Sequence, residues 1–184
     1  MNSALRILFA TAALGAAWPA FSAENPMVGG APMFDSKTIV ENAVNSKDHT
    51  TLVAAVTAAG LVETLSGPGP FTVFAPVNTA FDKLPAGTVE TLLKPENKDQ
   101  LVKILTCHVV GAAALSDAIG GMIAKDGGTH VVETLGGCKL TAAMDGDAIT
   151  LTDENGGVAH VTIADVVQSN GVIHVIDTVL LPKM

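Results

Sequence analysis

The chain has 184 residues, with 18 acidic side chains against 10 basic ones and a formal net charge of −8 at pH 7. That balance argues against nucleic acid and anionic lipid as partners, since both require a positive patch. Six phenylalanines, one tryptophan and no tyrosine are the whole aromatic complement, which disfavours sites that stack sugars or bases on exposed rings.

Arg6 is followed by an apolar run from Ile7 to Trp18 and then by Pro19-Ala20-Phe21-Ser22-Ala23. One positive charge, about a dozen apolar residues and a small-residue stretch are the layout of a cleavable secretion signal. The run is shorter than the ~20 residues a membrane-spanning helix needs. Residues 1–23 therefore read as a signal peptide cut after Ser22 or Ala23, with the product secreted to the periplasm or the cell exterior. Cleavage removes the only arginine and the only tryptophan, leaving nine lysines, 18 carboxylates and a net charge of −9. About 160 residues remain, enough for one domain. The remaining rings, Phe34, Phe71, Phe74 and Phe81, lie in apolar surroundings and are expected in the core. No retained transmembrane segment or lipid-bearing cysteine is expected.

Cys107 and Cys138 are the only cysteines. An even pair bound for an oxidising compartment favours one disulfide over a metal site. The bridge would close a loop of about 30 residues and stabilise by roughly 3 kcal/mol; two free buried thiols are the alternative.

Residues 24–33, with two prolines and two glycines and no periodicity, read as a flexible leader. From Asp35 the spacing of Ile39, Val40, Ala43 and Val44 predicts a helix capped by Asp35 or Ser36. A second helix begins near Asp48, carries Leu52, Val53, Val56 and Ala59, and meets Gly60. Ser66-Gly67-Pro68-Gly69-Pro70 stops the helical pattern. Phe71–Ala75 is a buried strand; Asn78 is placed to cap a short helix through Phe81 and Leu84. Thr88–Leu93 is a further turn, and Pro95 opens a helix through Leu105.

Beyond Thr106 the texture turns β. Val109-Val110 is strand-like, and the Gly/Ala-rich residues 111–130 read as a long excursion with one helical turn near Ser116–Ile119. Strands follow at 131–135, 139–144, 148–152, 158–164 and 172–176. Asp145-Gly146 and Asn155-Gly156-Gly157 are hairpin signals and Asn170-Gly171 is a tight turn. Helices first and an antiparallel meander second predict an α+β layout in a single domain over 34–184.

No nucleophile elbow, phosphate loop or dinucleotide fingerprint is present. The five histidines (His49, His108, His130, His160, His174) are scattered without ligand spacing. No metal or cofactor is therefore expected, although folding could bring His108 and His174 together. His174 falls between Ile173 and Val175, on one strand face with Val172 and Ile176. Imidazole buried among aliphatics must be hydrogen-bonded, so it reads as a core histidine tied to a backbone or side-chain partner, with ligand or base roles as alternatives.

Gly69-Pro70-Phe71-Thr72-Val73-Phe74-Ala75-Pro76-Val77-Asn78-Thr79-Ala80-Phe81 resembles the first signature box of the fasciclin domain. Asn170-Gly171-Val172-Ile173-His174-Val175-Ile176-Asp177-Thr178-Val179-Leu180-Leu181-Pro182 is similar to its second box, and Ile104–Val110, with His108, to the tyrosine–histidine motif between them. Cys107 departs from the family's tyrosine; a bridge to Cys138 could replace that anchor. The resemblance implies a β-wedge of about seven strands packed with several helices, and a role as a non-enzymatic adhesion module. It further implies a receptor-contact pair at Asp165-Val166, where an exposed carboxylate could meet a receptor-held cation. The expected partner is a cell-surface or matrix protein or polysaccharide, met by a monomer. The alternatives are a small-ligand or lipid carrier with residues 111–130 as a lid, and an unrecognised hydrolase using His108 or His174.

Overall fold

The computed structural model describes residues 25–183; the segment read as a signal peptide lies outside them. Strands β1 (Met27–Val28) and β2 (Ala31–Pro32) form a two-stranded hairpin where the sequence predicts an irregular leader. Gly29 and Gly30 take φ of 59° and 77° at its turn, a conformation glycine adopts without a Cβ penalty. The turn delivers Val28 and Met33 into the core.

Helix α1 (Ile39–Ala43) is capped by Thr38 rather than by Asp35 or Ser36. The Thr38 hydroxyl accepts the Glu41 N–H while the Glu41 carboxylate accepts the Thr38 N–H, a capping box. That start turns the helix so that Ile39 and Asn42 are buried and Val44 is exposed. A 3-10 turn at Lys47–His49 leads into α2 (Thr50–Ala59), which buries Leu52, Ala55, Val56 and Ala59. Gly60, at φ 73°, ends it in the left-handed conformation that terminates many helices. Three short helices follow, α3 (Val62–Leu65), α4 (Asn78–Asp82) and α5 (Thr88–Leu92), then α6 (Lys98–Thr106) behind a Pro95–Asn97 turn. Asn78 does not cap α4, which it begins. Its side-chain oxygen accepts the Thr51 N–H at 3.0 Å and its amide donates to the Lys47 carbonyl at 2.8 Å, so it caps α2 instead.

Seven strands make the main sheet: β3 (Phe71–Pro76), β4 (Val109–Val110), β5 (Thr129–Glu133), β6 (Lys139–Asp145), β7 (Ala148–Thr152), β8 (Val158–Gln168) and β9 (Gly171–Ile176). Their order is β4-β3-β9-β8-β7-β6-β5. The meander from β5 to β9 is antiparallel. The sheet as a whole is mixed, because β3 pairs in parallel with β9, from Phe71↔Gly171 to Pro76↔Ile176. The long connection between residues 76 and 171 makes a parallel crossover possible, and hairpin signals carry no information about it.

Period-two alternation divides these central strands between two cores. Val73, Ala75, Ile173 and Val175 face helices α1–α6. Phe74 and Ile176 face the other way, onto Leu140, Leu151 and helix α7 (Ser116–Lys125). Helix α7 is ten residues long rather than one turn. Ile119 and Ile123, one helical turn apart, are both buried, and that apolar contact outweighs the poor helix propensity of Gly120 and Gly121. Of the four phenylalanines expected in the core, only Phe74 is fully buried. Phe71 and Phe81 pack partly against the helical core, and Phe34 lies outside it, with the Lys37 ammonium 4.8 Å from its ring centre.

The outer strands of the sheet meet at a seam. Leu135 N–H donates to the Val109 carbonyl at 2.7 Å and Gly136 N–H to the Thr106 carbonyl at 3.0 Å. Beside these bonds Cys107 and Cys138, both buried, are joined in a disulfide. The sheet is thereby drawn toward barrel closure, which removes exposed strand edges.

Candidate functional site

Between Ile163↔Val175 and Val166↔Ile173, β8 carries one residue more than β9, a bulge. Asp165 occupies it at φ 59°, a region that aspartate tolerates better than most residues. The bulge turns the Asp165 carboxylate toward the start of α7. Oδ1 accepts the Ser116 N–H at 2.7 Å and Oδ2 accepts the Ser116 hydroxyl. Leu115, the residue preceding the helix, has no side chain able to cap it, and Asp165 fills that role from across the fold. Val166 is completely buried against the helical core. Of the pair expected to contact a receptor, Asp165 is half-buried with its carboxylate held by Ser116, and Val166 is inside.

His174 completes this arrangement. Its Nε2–H donates to the Ala114 carbonyl at 2.8 Å and its Nδ1 accepts the Asp165 backbone N–H at 3.3 Å. Those partners define a neutral ring. Burial pushes its pKa below the ordinary histidine range, with the Ala114 carbonyl and the Asp165 charge offsetting only part of that. The ring stacks on Phe74 with centroids 5.8 Å apart. Thr72, two residues earlier on β3, donates its hydroxyl to the Ala112 carbonyl and accepts the Ala114 N–H. Three strands thus hold residues 112–116, the lead-in to α7.

His108 has separate partners. Its Nδ1–H donates to the Ile104 carbonyl at 2.8 Å and its Nε2 accepts the Leu180 N–H at 3.0 Å. Complete burial holds its pKa down at about 4, against smaller opposing effects of the Ile104 carbonyl and Asp153. His108 and His174 share no hydrogen bond; Phe74 touches both, donating its N–H to the His108 carbonyl and stacking on His174. With both ring nitrogens of each histidine bonded, neither offers a free base or metal ligand. Among the described residues no three His, Cys, Asp or Glu side chains are grouped to hold a metal.

The other motif residues join elements. Ala75 and Pro76 are buried on β3, and Phe81 packs partly into the helical core. Gly171 stands where a Cβ would collide with the Phe71 carbonyl, so only glycine permits β3 and β9 to approach at that point. The Asp177 carboxylate accepts the His160 N–H at 2.9 Å and the Thr178 hydroxyl at 3.0 Å, and it faces Lys83 at 3.4 Å. Burial raises its pKa, but these donors and the lysine charge outweigh burial and leave it lowered.

Two polar anchors escape the sequence reading. Asp153, buried, accepts N–H groups from Asn155, Gly157 and Leu181 at 2.8–2.9 Å. Asn42 bonds the Phe34 backbone in both directions and donates to Gln168. Asp153 precedes the Asn155-Gly156-Gly157 turn, and that spacing is its only signal. Nothing local marks Asn42.

A family model for the fasciclin domain matches residues 47–182. Protein sll1483 of Synechocystis sp. is 48% identical over 88% of this chain and 82% of its own length. Uncharacterized protein sll1735 of the same organism is 42% identical over 78% of this chain and 96% of its own. Among solved structures, a FAS1 domain pair from the insect cell adhesion molecule fasciclin I superimposes with a TM-score of 0.68. It covers 79% of this chain and 51% of that one at 18% identity, a likeness of fold.

Proposed function

Because this chain belongs to the fasciclin domain family, we propose that it is an exported, non-enzymatic module that binds a cell-surface or matrix component. The observation that carries this reading is the family match over residues 47–182, which takes in most of the folded part, from the turn before α2 to the end of β9 and beyond. The likeness of fold to domains of an insect cell adhesion molecule points the same way. So does the state of the buried histidines His108 and His174, whose ring nitrogens are engaged in holding the backbone. The acidic balance disfavours anionic partners such as nucleic acid. Export follows from the charge and apolar pattern of residues 1–23, and among the described residues no helix is long and apolar enough to cross a membrane.

The test is attachment. Beads coated with the folded domain, with many copies per bead to supply avidity, are applied to cells and envelope extract of the source organism. Retention above that of an unrelated acidic domain, and capture of a defined envelope component, are expected. Retention equal to the control would overturn the reading.

A further inference from the structure

Beyond β9 the segment up to Lys183 pairs with no strand. Asp177 N–H still meets the His160 carbonyl at 3.2 Å, and after it side chains take over. Leu180 N–H donates to His108 Nε2 at 3.0 Å, Leu181 N–H to Asp153 Oδ2 at 2.9 Å and Lys183 N–H to Glu154 Oε2 at 3.0 Å. Pro182 has no N–H to place. Each backbone donor from Leu180 to Lys183 is thus accepted by a side chain that can itself take up a proton. The segment also plugs the interior: Val179 is buried in the helical core and Leu180 in the core beneath α7. We propose that residues 178–183 form an acid-released strap, which leaves both cores when its acceptors are protonated while the sheet stays paired.

The chemistry is sharpest at His108. Its two partners, a carbonyl and a backbone N–H, fix the proton on Nδ1 and leave Nε2 as the acceptor. A second proton must go to Nε2, where it turns a bond into one donor facing another. Asp153, in the turn after β7, is the charge that acts on the ring, and it offsets burial only in part. The sheet residues Val73, Phe74 and Ile173, which line the same cavity as His108, carry no charge. His49 lines it too, and burial disfavours its charged form. At the exposed end the Lys103 ammonium, from α6, donates to the Lys183 carbonyl at 3.3 Å. Glu154 is protonated only below the usual carboxylate range, because the Lys183 and Lys139 N–H groups favour its charge. In the closed strap His108 titrates at about 4, and once the strap leaves, Nε2 meets water and the ordinary 6.5 applies. Above 6.5 the closed form is fully favoured. As pH falls toward 4 the open form takes up a proton that the closed form refuses. Between about pH 7 and about pH 5 the open fraction therefore rises about 20-fold. With no strand ladder to break, this opening needs less than global unfolding.

The test is amide hydrogen exchange of the full chain at about pH 7 and about pH 5, each with and without a low concentration of urea. Protection of the Leu180 and Leu181 amides, corrected for intrinsic exchange, is expected to fall about 20-fold at the lower pH. Urea should hardly change it, since the opening exposes little surface, whereas amides of the β3–β9 ladder stay better protected and respond steeply. In His108→Gln, which keeps an acceptor but not the titration, the acid effect at Leu180 should shrink below about twofold. A folded variant that keeps the full effect would overturn the proposal. So would strap amides in the unaltered protein that ignore pH or share the urea response of the ladder, a comparison that decides even if the variant folds poorly.

Discussion

The backbone N–H of Asp165 is donated to Nδ1 of His174 at 3.3 Å, and the same two residues grip the chain two positions apart, at Ser116 and Ala114. The strand bulge and the last strand thus fix the start of α7 as one unit. Asp165→Ala removes the cap and leaves a non-glycine residue at φ 59°; a loss of about 2 kcal/mol is expected. Asp165→Gly removes the same cap but accepts the backbone conformation, so it should cost about 1 kcal/mol less. Urea unfolding of the two variants checks the order. An unchanged midpoint in both would mean the carboxylate serves only an outside partner.

Acid stability follows from His108. Its folded pKa of about 4 lies below the ordinary 6.5. Above 6.5 both folded and unfolded forms are neutral and stability is complete. As pH falls from 6.5 toward 4 the unfolded chain takes up a proton that the folded form refuses, so stability drops. The expected loss is roughly 3 kcal/mol across that window. Burial also lowers the pKa of His49 and His174, which adds to the same slope. Urea midpoints measured at intervals from pH 7 to about 4 should decline accordingly; a flat profile would contradict the buried neutral ring.

The seam disulfide should be measurable both chemically and energetically. Peptide mapping without reductant is expected to yield a fragment joining Cys107 to Cys138. Replacing both with serine should lower stability by about 3–4 kcal/mol, the loop-closure contribution for a separation of this length. Free thiols in the exported protein would refute the bridge.

Asn170 links three elements from the turn before β9. Its side-chain oxygen accepts the Ile39 N–H at 3.0 Å, and its amide donates to the Leu65 and Gly67 carbonyls at 2.8 and 2.9 Å. Asn170→Ala should destabilise by about 3 kcal/mol, since buried partners are left unpaired. Asn170→Asp keeps the acceptor but sets a carboxylate against two carbonyls. Calorimetric melting of both variants should place the aspartate form no higher than the alanine form.

The strands were legible because their turns are: Asp145-Gly146 and Asn155-Gly156-Gly157 delimit β6, β7 and β8 closely, each turn having a local chemical cause. The α+β class and the family boxes were likewise readable. Interactions set by distant residues were not. Asn78 looks like the cap of its own helix, but caps α2. Asp165 looks like a free strand-end acid, but caps α7. In each case a short polar side chain is available locally, and only the packed fold decides which N–H it meets. The β1–β2 hairpin and the length of α7 were hidden for a related reason: glycine-rich stretches lack propensity, and tertiary burial of Val28, Met33, Ile119 and Ile123 supplies the order.

The parallel pairing of β3 with β9 also dictates an order in time. A chain supplied N-terminus first delivers Phe71–Pro76 long before Gly171–Ile176 exists to lie beside it. Meanwhile β3 has only the two residues of β4 as a neighbour, and pairings so distant in sequence form slowly. The centre of the sheet is therefore completed last, when nearly all of the chain has arrived. Truncation before residue 171 would not fray an end; it would open a gap between β3 and β8, through the middle of both cores.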